Sequence, residues 1–538
     1  MSAKEGPHGK PVKAFLTAES GEKNTPQPDF AFSTVIPNHA ATIQVDTGRR
    51  QQTMVGIGSS CTEASAFVLA HLAPDRRKHV MRQIFSTEGA NFSLTRTHIG
   101  ACDFTLRGRY SCADNRDDFA LENFSIACHK DGFDPQSHPG ICDPTFSLLQ
   151  MLKEAQSIKN NQADPRLRII ASAWTAPAWM KDIDDWFIPG NAANNWQGTG
   201  GSLRPDCVAV YADYLVRFLE AYRAEGIDIW GLTPVNEPCG NNGQWESLHF
   251  TPESQRDFIR HHLGPKLRAA GKQEVNLLVY DQNRDQMDAW ADTLFADPET
   301  AAYTDGLAVH WYSSTFKVYE DGFRRLRKKY PDKMIIHTEG CIDDLGKEAP
   351  PGIGDPERFK ESGWFGNDAF WWNNNATDWA YSANWDGVDN ADHPIYTPVH
   401  RYARDIIVGI NNGLSGWIDW NIVLDKNGGP NHVGNFCGAP IMIDTASGHI
   451  HYTPIFHILS QFSRTIRPGD QALDVATHCA HHGADSLHSC ATITGDRLVS
   501  VQILNTTKTV IPCRLQMDAW AGTFEIPANS VLTLHIPL

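Results

Sequence analysis

From Thr53 onward the chain alternates short apolar runs with longer polar or amphipathic stretches. Eight runs have the length and composition of buried strands: Met54–Gly58, Phe92–Ile99, Leu167–Trp174, Ile229–Val235, Val275–Asp281, Leu307–Tyr312, Met334–Glu339 and Gly416–Leu424. Between them, Asp206–Ala224, Pro252–Ala270 and Pro398–Asn411 place apolar residues three and four apart, which predicts helices. Eight strand–helix alternations over about 370 residues predict an α/β fold, a (β/α)8 TIM barrel. A doubly wound sheet would carry a Gly-rich phosphate turn after its first strand. Gly56-Ile57-Gly58-Ser59-Ser60 lacks the GxGxxG spacing and reads as the tight exit of strand one.

The rhythm differs at both ends. Residues 1–30 are polar and rich in Pro and Gly, which predicts a loosely attached N-terminal arm. Phe32–Ile36 and Ala41–Asp46 read as short strands. After about Pro454 the alternation becomes period two, in Leu487–Thr494, Arg497–Thr506, Thr509–Gln516, Gly522–Ile526 and Ser530–Ile536. The expected division is an arm over 1–30, strands over 31–50 that join a β side domain, a catalytic barrel over 51–454 and a smaller all-β sandwich over 455–538. Both termini would then build one side domain.

In a barrel of this kind the chemistry sits at the C-terminal ends of the strands. Glu237 ends the fourth run, in Thr233-Pro234-Val235-Asn236-Glu237-Pro238, and Glu339 ends the seventh, in Ile335-Ile336-His337-Thr338-Glu339-Gly340. Taken singly, a strand-end glutamate reads as an ion pair or a helix cap. Strands four and seven lie on opposite sides of the mouth, so the two carboxylates can face one cleft. A carboxylate pair across a sugar-sized cleft is the apparatus of glycoside hydrolysis.

Composition narrows the field. The 538 residues carry 63 acidic and 47 basic side chains, a formal net charge of −16 that argues against nucleic acid as a partner. No stretch reaches the ~20 apolar residues of a membrane span, and Met1–Ser20 has no apolar run of the signal-peptide kind. The expectation is a cytoplasmic protein, or a secreted one whose leader is not in this sequence; the oligomeric state is open. Twelve cysteines without a CxxC pair fit reduced thiols at least as well as a disulfide framework, although Cys102, Cys112, Cys128 and Cys142 share one loop region. His478, Cys479, His481, His482, His488 and Cys490 match no standard zinc spacing and read as an exposed turn. No P-loop, nucleophile-elbow serine or HExxH occurs, so no cofactor is expected.

Several longer blocks carry a family resemblance: HIGACDF at 98–104, AWTAPAWMK at 173–181, Asn236-Glu237-Pro238, AVHWY at 308–312, Glu339-Gly340-Cys341, and GWIDWNIVLDKNGGPNHVGNFCGAPIMID at 416–444. Over about residues 50–470 the chain resembles glycoside hydrolase family 30, in particular its acid β-glucosidase (glucosylceramidase) branch. The resemblance implies Glu237 as acid/base and Glu339 as nucleophile, with Glu237 held protonated by burial and by repulsion from ionised Glu339. Asn236 would bond the sugar 2-hydroxyl. Asp103 would accept from outer hydroxyls, and Trp174 and Trp420 would wall the ring. Tyr312 would bond Glu339; His310 ends strand six, and Asn435 and Trp245 would be rim contacts. For the tryptophans, core packing is the competing reading.

The stretch Trp364–His393, rich in Trp and Asn, departs from the glucosylceramidase pattern and reads as an overhang shaping the aglycone site. The implied activity is a retaining β-glycosidase releasing terminal β-linked glucose from a small or lipid-linked β-glycoside. The competing readings are a β-xylosidase or an endo-β-1,6-glucanase on the same barrel, and a catalytically silent carbohydrate-binding protein.

Overall fold

The computed structural model describes residues 9–27, 35, 40–314, 316–342, 363–372, 397–480, 482–483, 485–495 and 497–538. Eight parallel strands close into a barrel. They are β1 (Gly56–Ser59), β2 (Leu94–Ile99), β3 (Arg168–Ala173), β4 (Gly231–Thr233), β5 (Asn276–Asn283), β6 (Gly306–His310), β7 (Met334–Glu339) and β8 (Leu414–Asp419). Closure is made by β8 on β1, with Gly416 opposite Gly56 and Ile418 opposite Gly58. A side chain at Gly58 would strike the backbone of Leu94, so the glycine permits the close approach of β1 to β2. Inside, Leu94, Ile170, Leu278, Ala308, Ile336 and Ile418 form one buried apolar cluster, the side-chain filling expected of a barrel core.

The α/β barrel expected from the alternation is therefore present, with two local differences. The eighth run divides: Leu414–Asp419 stays in the barrel, whereas Val423–Asp425 pairs with Ile441–Asp444 in a separate three-stranded sheet that His449–Tyr452 completes. The break falls at Asn421, which has φ 73° and is of a type that tolerates the left-handed region. The helix expected over Pro252–Ala270 widens into a π turn at Ile259–Leu263. Pro265 has no N–H to return to the preceding turn, which favours such a distortion. Pro398–Asn411 forms as expected, with Thr397 accepting from the His400 N–H at 3.1 Å and Pro398 in the first turn.

The all-β side domain draws on both termini. Its nine strands are hydrogen-bonded in the order Trp520–Ile526, Ile511–Met517, Ala41–Thr53, Gln471–His478, Leu487–Thr494, Leu498–Asn505, Ser530–Pro537, Lys13–Ala18 and Thr25–Pro26. They enclose a core of their own that includes Ile43, Leu473, Val501, Ile511 and Leu532. The described part of the expected arm, residues 9–27, is thus not simply an arm. Lys13–Ala18 pairs along Ser530–Pro537, and Val12, Ala14 and Leu16 bury a period-two face that the polar surroundings conceal. Phe32–Ile36 lies, apart from Val35, outside the described residues. The helical rhythm also runs past residue 454: Pro454–Thr465 is a helix. Its Gln461 donates to the Val531 carbonyl at 3.0 Å and accepts from Thr17 Oγ1 at 2.6 Å, tying helix to sheet. Among the described residues no helix is long and apolar enough to cross a membrane.

Candidate active site

The short strand β4 delivers Glu237 through an irregular turn held on both sides. The Asn236 N–H donates to the Ala173 carbonyl at 2.6 Å, and the Glu237 N–H to the Asp281 carbonyl at 2.9 Å. Glu237 itself has φ 49°, a left-handed conformation that costs a non-glycine residue on the order of 1–3 kcal/mol and persists only where the surroundings impose it. Glu339 ends β7 where the ladder to β6 slips register between His337 and Glu339. One oxygen of each glutamate and a ring nitrogen of His310 lie within 4.8 Å of one another.

Beneath this pair lies a buried ion network that the sequence reading does not name. Arg96, from the middle of β2, donates from Nη1 to Glu339 Oε2, from Nη2 to Asn236 Oδ1 at 2.6 Å and Asp281 Oδ2 at 2.8 Å, and from Nε to Ser172 Oγ at 2.9 Å. Asp281 stands on a bulge of β5 between Tyr280 and Gln282. Its Oδ2 also accepts from Thr233 Oγ1 at 2.6 Å, while its Oδ1 accepts from Thr338 Oγ1 at 2.7 Å and lies 3.0 Å from His310 Nε2. Burial alone would raise the Asp281 carboxyl; Arg96 and His310 outweigh it and hold the group well below the ordinary range. His310 reaches the other way, its Nδ1 3.2 Å from Glu237 Oε1. Burial pulls its ring down, but Glu339, Asp281 and Glu237 lift it to about 9, so it is an imidazolium at neutral pH. Glu339 is raised by burial, against the pull of His310 and Arg96.

The remaining expected residues fall around this network. Tyr312 donates from its hydroxyl to Glu339 Oε1 at 3.1 Å. Trp174 and Trp420 stack on each other with centroids 5.1 Å apart, and the Arg96 guanidinium lies 4.7 Å and 5.5 Å from their rings. Each is only 2% exposed, so both pack as core beside the guanidinium that holds Glu339. Asn435 donates to Asp103 Oδ2 at 3.0 Å. Burial first, then the charge of Glu339, pushes the Asp103 carboxyl up to about 7. Trp245 is half-buried on the loop after β4 and is joined to either glutamate by no hydrogen bond among the described residues. Its neighbour Glu246 is buried and stands 3.1 Å from His432, a second pair the sequence reading passes over.

Among the described residues, Glu237, His310 and Glu339 are the one group whose atoms could converge on a metal ion. The Arg96 guanidinium already bonded to Glu339 disfavours a further cation there. Of the expected overhang, residues 373–393 lie outside the described residues. Its described start is packed: Trp364 and Trp371 stack 6.4 Å apart and both are buried. In the histidine- and cysteine-rich stretch, Leu487–Thr494 is a strand with Cys490 buried, and His481 is outside the described residues.

A closed (β/α)8 barrel whose fourth and seventh strands bring two glutamates into one buried, cation-braced cleft has the architecture of glycoside hydrolases. Residues 54–387 and 380–466 match the glycosyl hydrolase family 30 TIM-barrel domain, and the chain belongs to that family. It is 30% identical over 437 residues to putative glucosylceramidase 3 of Caenorhabditis elegans, covering 80% of this chain and 69% of that one. It is 28% identical over 491 residues to the lysosomal acid glucosylceramidase of Mus musculus, covering 90% and 81%. An endo-1,6-beta-D-glucanase of Neurospora crassa is 24% identical over 506 residues, covering 92% and 88%. The fold is shared with SrfJ from Salmonella typhimurium, with a TM-score of 0.75 at 23% identity over 97% of this chain and 99% of that one.

Proposed function

We propose that the protein is a retaining β-glycosidase in which Glu339 is the nucleophile and Glu237 the acid/base. The observation that carries this reading is the approach of the two glutamates, the facing oxygen of each lying within 4.8 Å of the other, which favours the shorter of the two carboxyl separations known for such pairs. Direct attack by a carboxylate requires carboxyls about 5–5.5 Å apart, whereas an intervening water requires about 6.5–9.5 Å. Charge fits one proton on the pair. Arg96 and His310 supply two positive charges against the carboxyls of Asp281, Glu237 and Glu339, so the cluster is neutral when one glutamate holds a proton. That is the state from which a double displacement starts.

In the first step Glu339 attacks the anomeric carbon while Glu237 passes its proton to the leaving oxygen. In the second, Glu237 takes a proton from water, whose oxygen attacks the same carbon and releases Glu339. Arg96 and the Tyr312 hydroxyl orient Glu339 through both steps. Because the Asn236 side-chain oxygen is engaged by Arg96, its amide N–H groups are turned to donate to the sugar 2-hydroxyl, a bond that strengthens at the transition state. Asp103 with Asn435, and Trp174 with Trp420, hold and wall the ring.

The substrate we favour is a terminal β-linked glucose of the glucosylceramide type, on the strength of the worm and mouse relatives. A second reading, endo-action on β-1,6-glucan, is favoured by the Neurospora relative, which matches nearly end to end. Comparing turnover of aryl β-glucosides, aryl β-xylosides, glucosylceramide and β-1,6-glucan decides between them. Release of glucose from the aryl glucoside and glucosylceramide is expected; cleavage confined to the glucan would replace the first reading by the second. A 2-deoxy-2-fluoro-β-glucoside with a good leaving group should leave its adduct on Glu339 in a peptide map, and an adduct on any other residue would sink the assignment. Glu237→Gln should slow substrates with poor leaving groups by about 10²–10⁴ and activated aryl glucosides far less; equal losses on both would remove Glu237 from the acid role.

A further inference from the structure

Two loops at the barrel mouth bring a pair of thiols together beside the proposed nucleophile. Cys341 follows Glu339 by two residues, and Cys437 follows Asn435 by two. Both are reduced, and their sulfurs stand 3.1 Å apart. A disulfide places its sulfurs about 2.05 Å apart, so a closure of about 1 Å joins them. Backbone bonds already brace the thiols: the Gly438 N–H donates to the Ile342 carbonyl at 2.7 Å, joining the two loops, and the Trp420 N–H just after β8 donates to the Gly340 carbonyl at 2.9 Å. The Tyr312 hydroxyl links the pair to the site, 3.5 Å from Cys341 Sγ and 3.1 Å from Glu339 Oε1.

We propose that Cys341 and Cys437 are an oxidation site for hydrogen peroxide, and that the disulfide they form lowers turnover at Glu339. One sulfur, losing its proton, attacks a peroxide oxygen; the O–O bond breaks, leaving a sulfenic acid and one water. The second sulfur attacks the first, the S–O bond breaks, and the hydroxyl leaves with the second thiol proton as another water. Two thiols are oxidised by two electrons and one peroxide is reduced to two waters. Cys341 and Cys437 are only 2% and 1% exposed, which excludes a bulky disulfide oxidant and leaves a molecule as small as hydrogen peroxide as the oxidant. The new bond draws Cys341 Sγ toward Cys437 and away from the Tyr312 oxygen that stands 3.5 Å from it, so the hydroxyl that orients Glu339 loses a packing neighbour and shifts.

The test treats the full-length protein with hydrogen peroxide, follows non-reduced peptides by mass spectrometry, and measures kcat on the glycoside turned over fastest. A Cys341–Cys437 linked peptide is expected to accumulate in step with an at least fivefold fall in kcat, both reversed by dithiothreitol. Cys437→Ala should keep its basal kcat and lose the peroxide response, and Cys341→Ser should also lack the response. Absence of the linked peptide overturns the proposal. So does a linked peptide with unchanged kcat, or an equal loss in Cys437→Ala. Cys112 and Cys128, 3.9 Å apart in the segment after β2, serve as an internal comparison, and oxidation confined to that pair is likewise a negative result. The kcat measurement rests on the glycosidase reading, whereas the peptide map does not. Inactivity on every glycoside would refute the function and with it the loss of turnover, while the map alone decides the bond.

Discussion

Two residues apart on the same strands, the barrel interior changes character. Leu94, Ile170, Leu278, Ala308 and Ile336 form the apolar filling. One side-chain step toward the mouth, the positions are Arg96, Ser172, His310, Thr338 and, displaced by the β5 bulge, Asp281. All five are fully buried and all are polar or charged. Strand periodicity makes this possible, because residues i and i+2 face the same way. The lower layer is stabilised by removing apolar area from water. The upper layer must offset the desolvation of charges by pairing them, and such a network is rarely the most stable filling for its volume. What it provides is a set of charges held in place before substrate arrives, which is what stabilises charge developing in a transition state. The difference teaches where to look in such a barrel: a charged residue two positions after a core residue marks the layer that does chemistry.

The sharpest way to break this contrast is to make the upper layer resemble the lower one. Arg96→Leu would leave Asp281 and Glu339 without the guanidinium that pairs them. The expected loss is about 3–5 kcal/mol of stability, with no measurable turnover, read by chemical denaturation and by rate on an activated aryl glycoside. Unchanged stability would show that the network is not held by this residue. The converse substitution, Ile336→Ala, opens a cavity in the lower layer and should cost about 2–5 kcal/mol. Its kcat per folded molecule should stay within a few-fold of the parent. If kcat collapses too, the layers are not separable.

The lower layer and the strand order were legible because they rest on periodicity. Met334–Glu339 and Pro398–Asn411 are found at the expected bounds, and the two glutamates could be placed from strand count alone. The upper layer was less legible. Arg96 and His98 sit inside the run Phe92–Ile99, and an arginine within a buried strand requires partners, but spacing does not say which. Asp281 reaches the network only because a bulge turns it inward, and no pattern in Val275–Asp281 announces the bulge. Lys13–Ala18 was missed for a different reason: its partner lies some five hundred residues on, at the other terminus, and local composition carries no trace of that pairing.

The smallest expected effect separates the layers by charge alone. The carboxyl of Asp103 rises in the folded protein from an ordinary value near 3.8 to about 7, through burial and then the charge of Glu339. Its contribution to stability is therefore present in full below about 4 and is lost as pH rises through about 7. His310, lifted from 6.5 to about 9, contributes stability that is present in full below 6.5 and lost as pH rises through about 9. The apolar layer holds no titratable group. Denaturation midpoints measured from pH 4 to 9 should therefore give Ile336→Ala a curve parallel to the parent but lower. Asp103→Asn should flatten the fall below about pH 7, and His310→Gln the fall above 6.5, each by no more than about 1.4 kcal/mol per pH unit. If Ile336→Ala changes the slope as much as either of these, the titrating groups are sensitive to packing beneath them, and the two layers act as one.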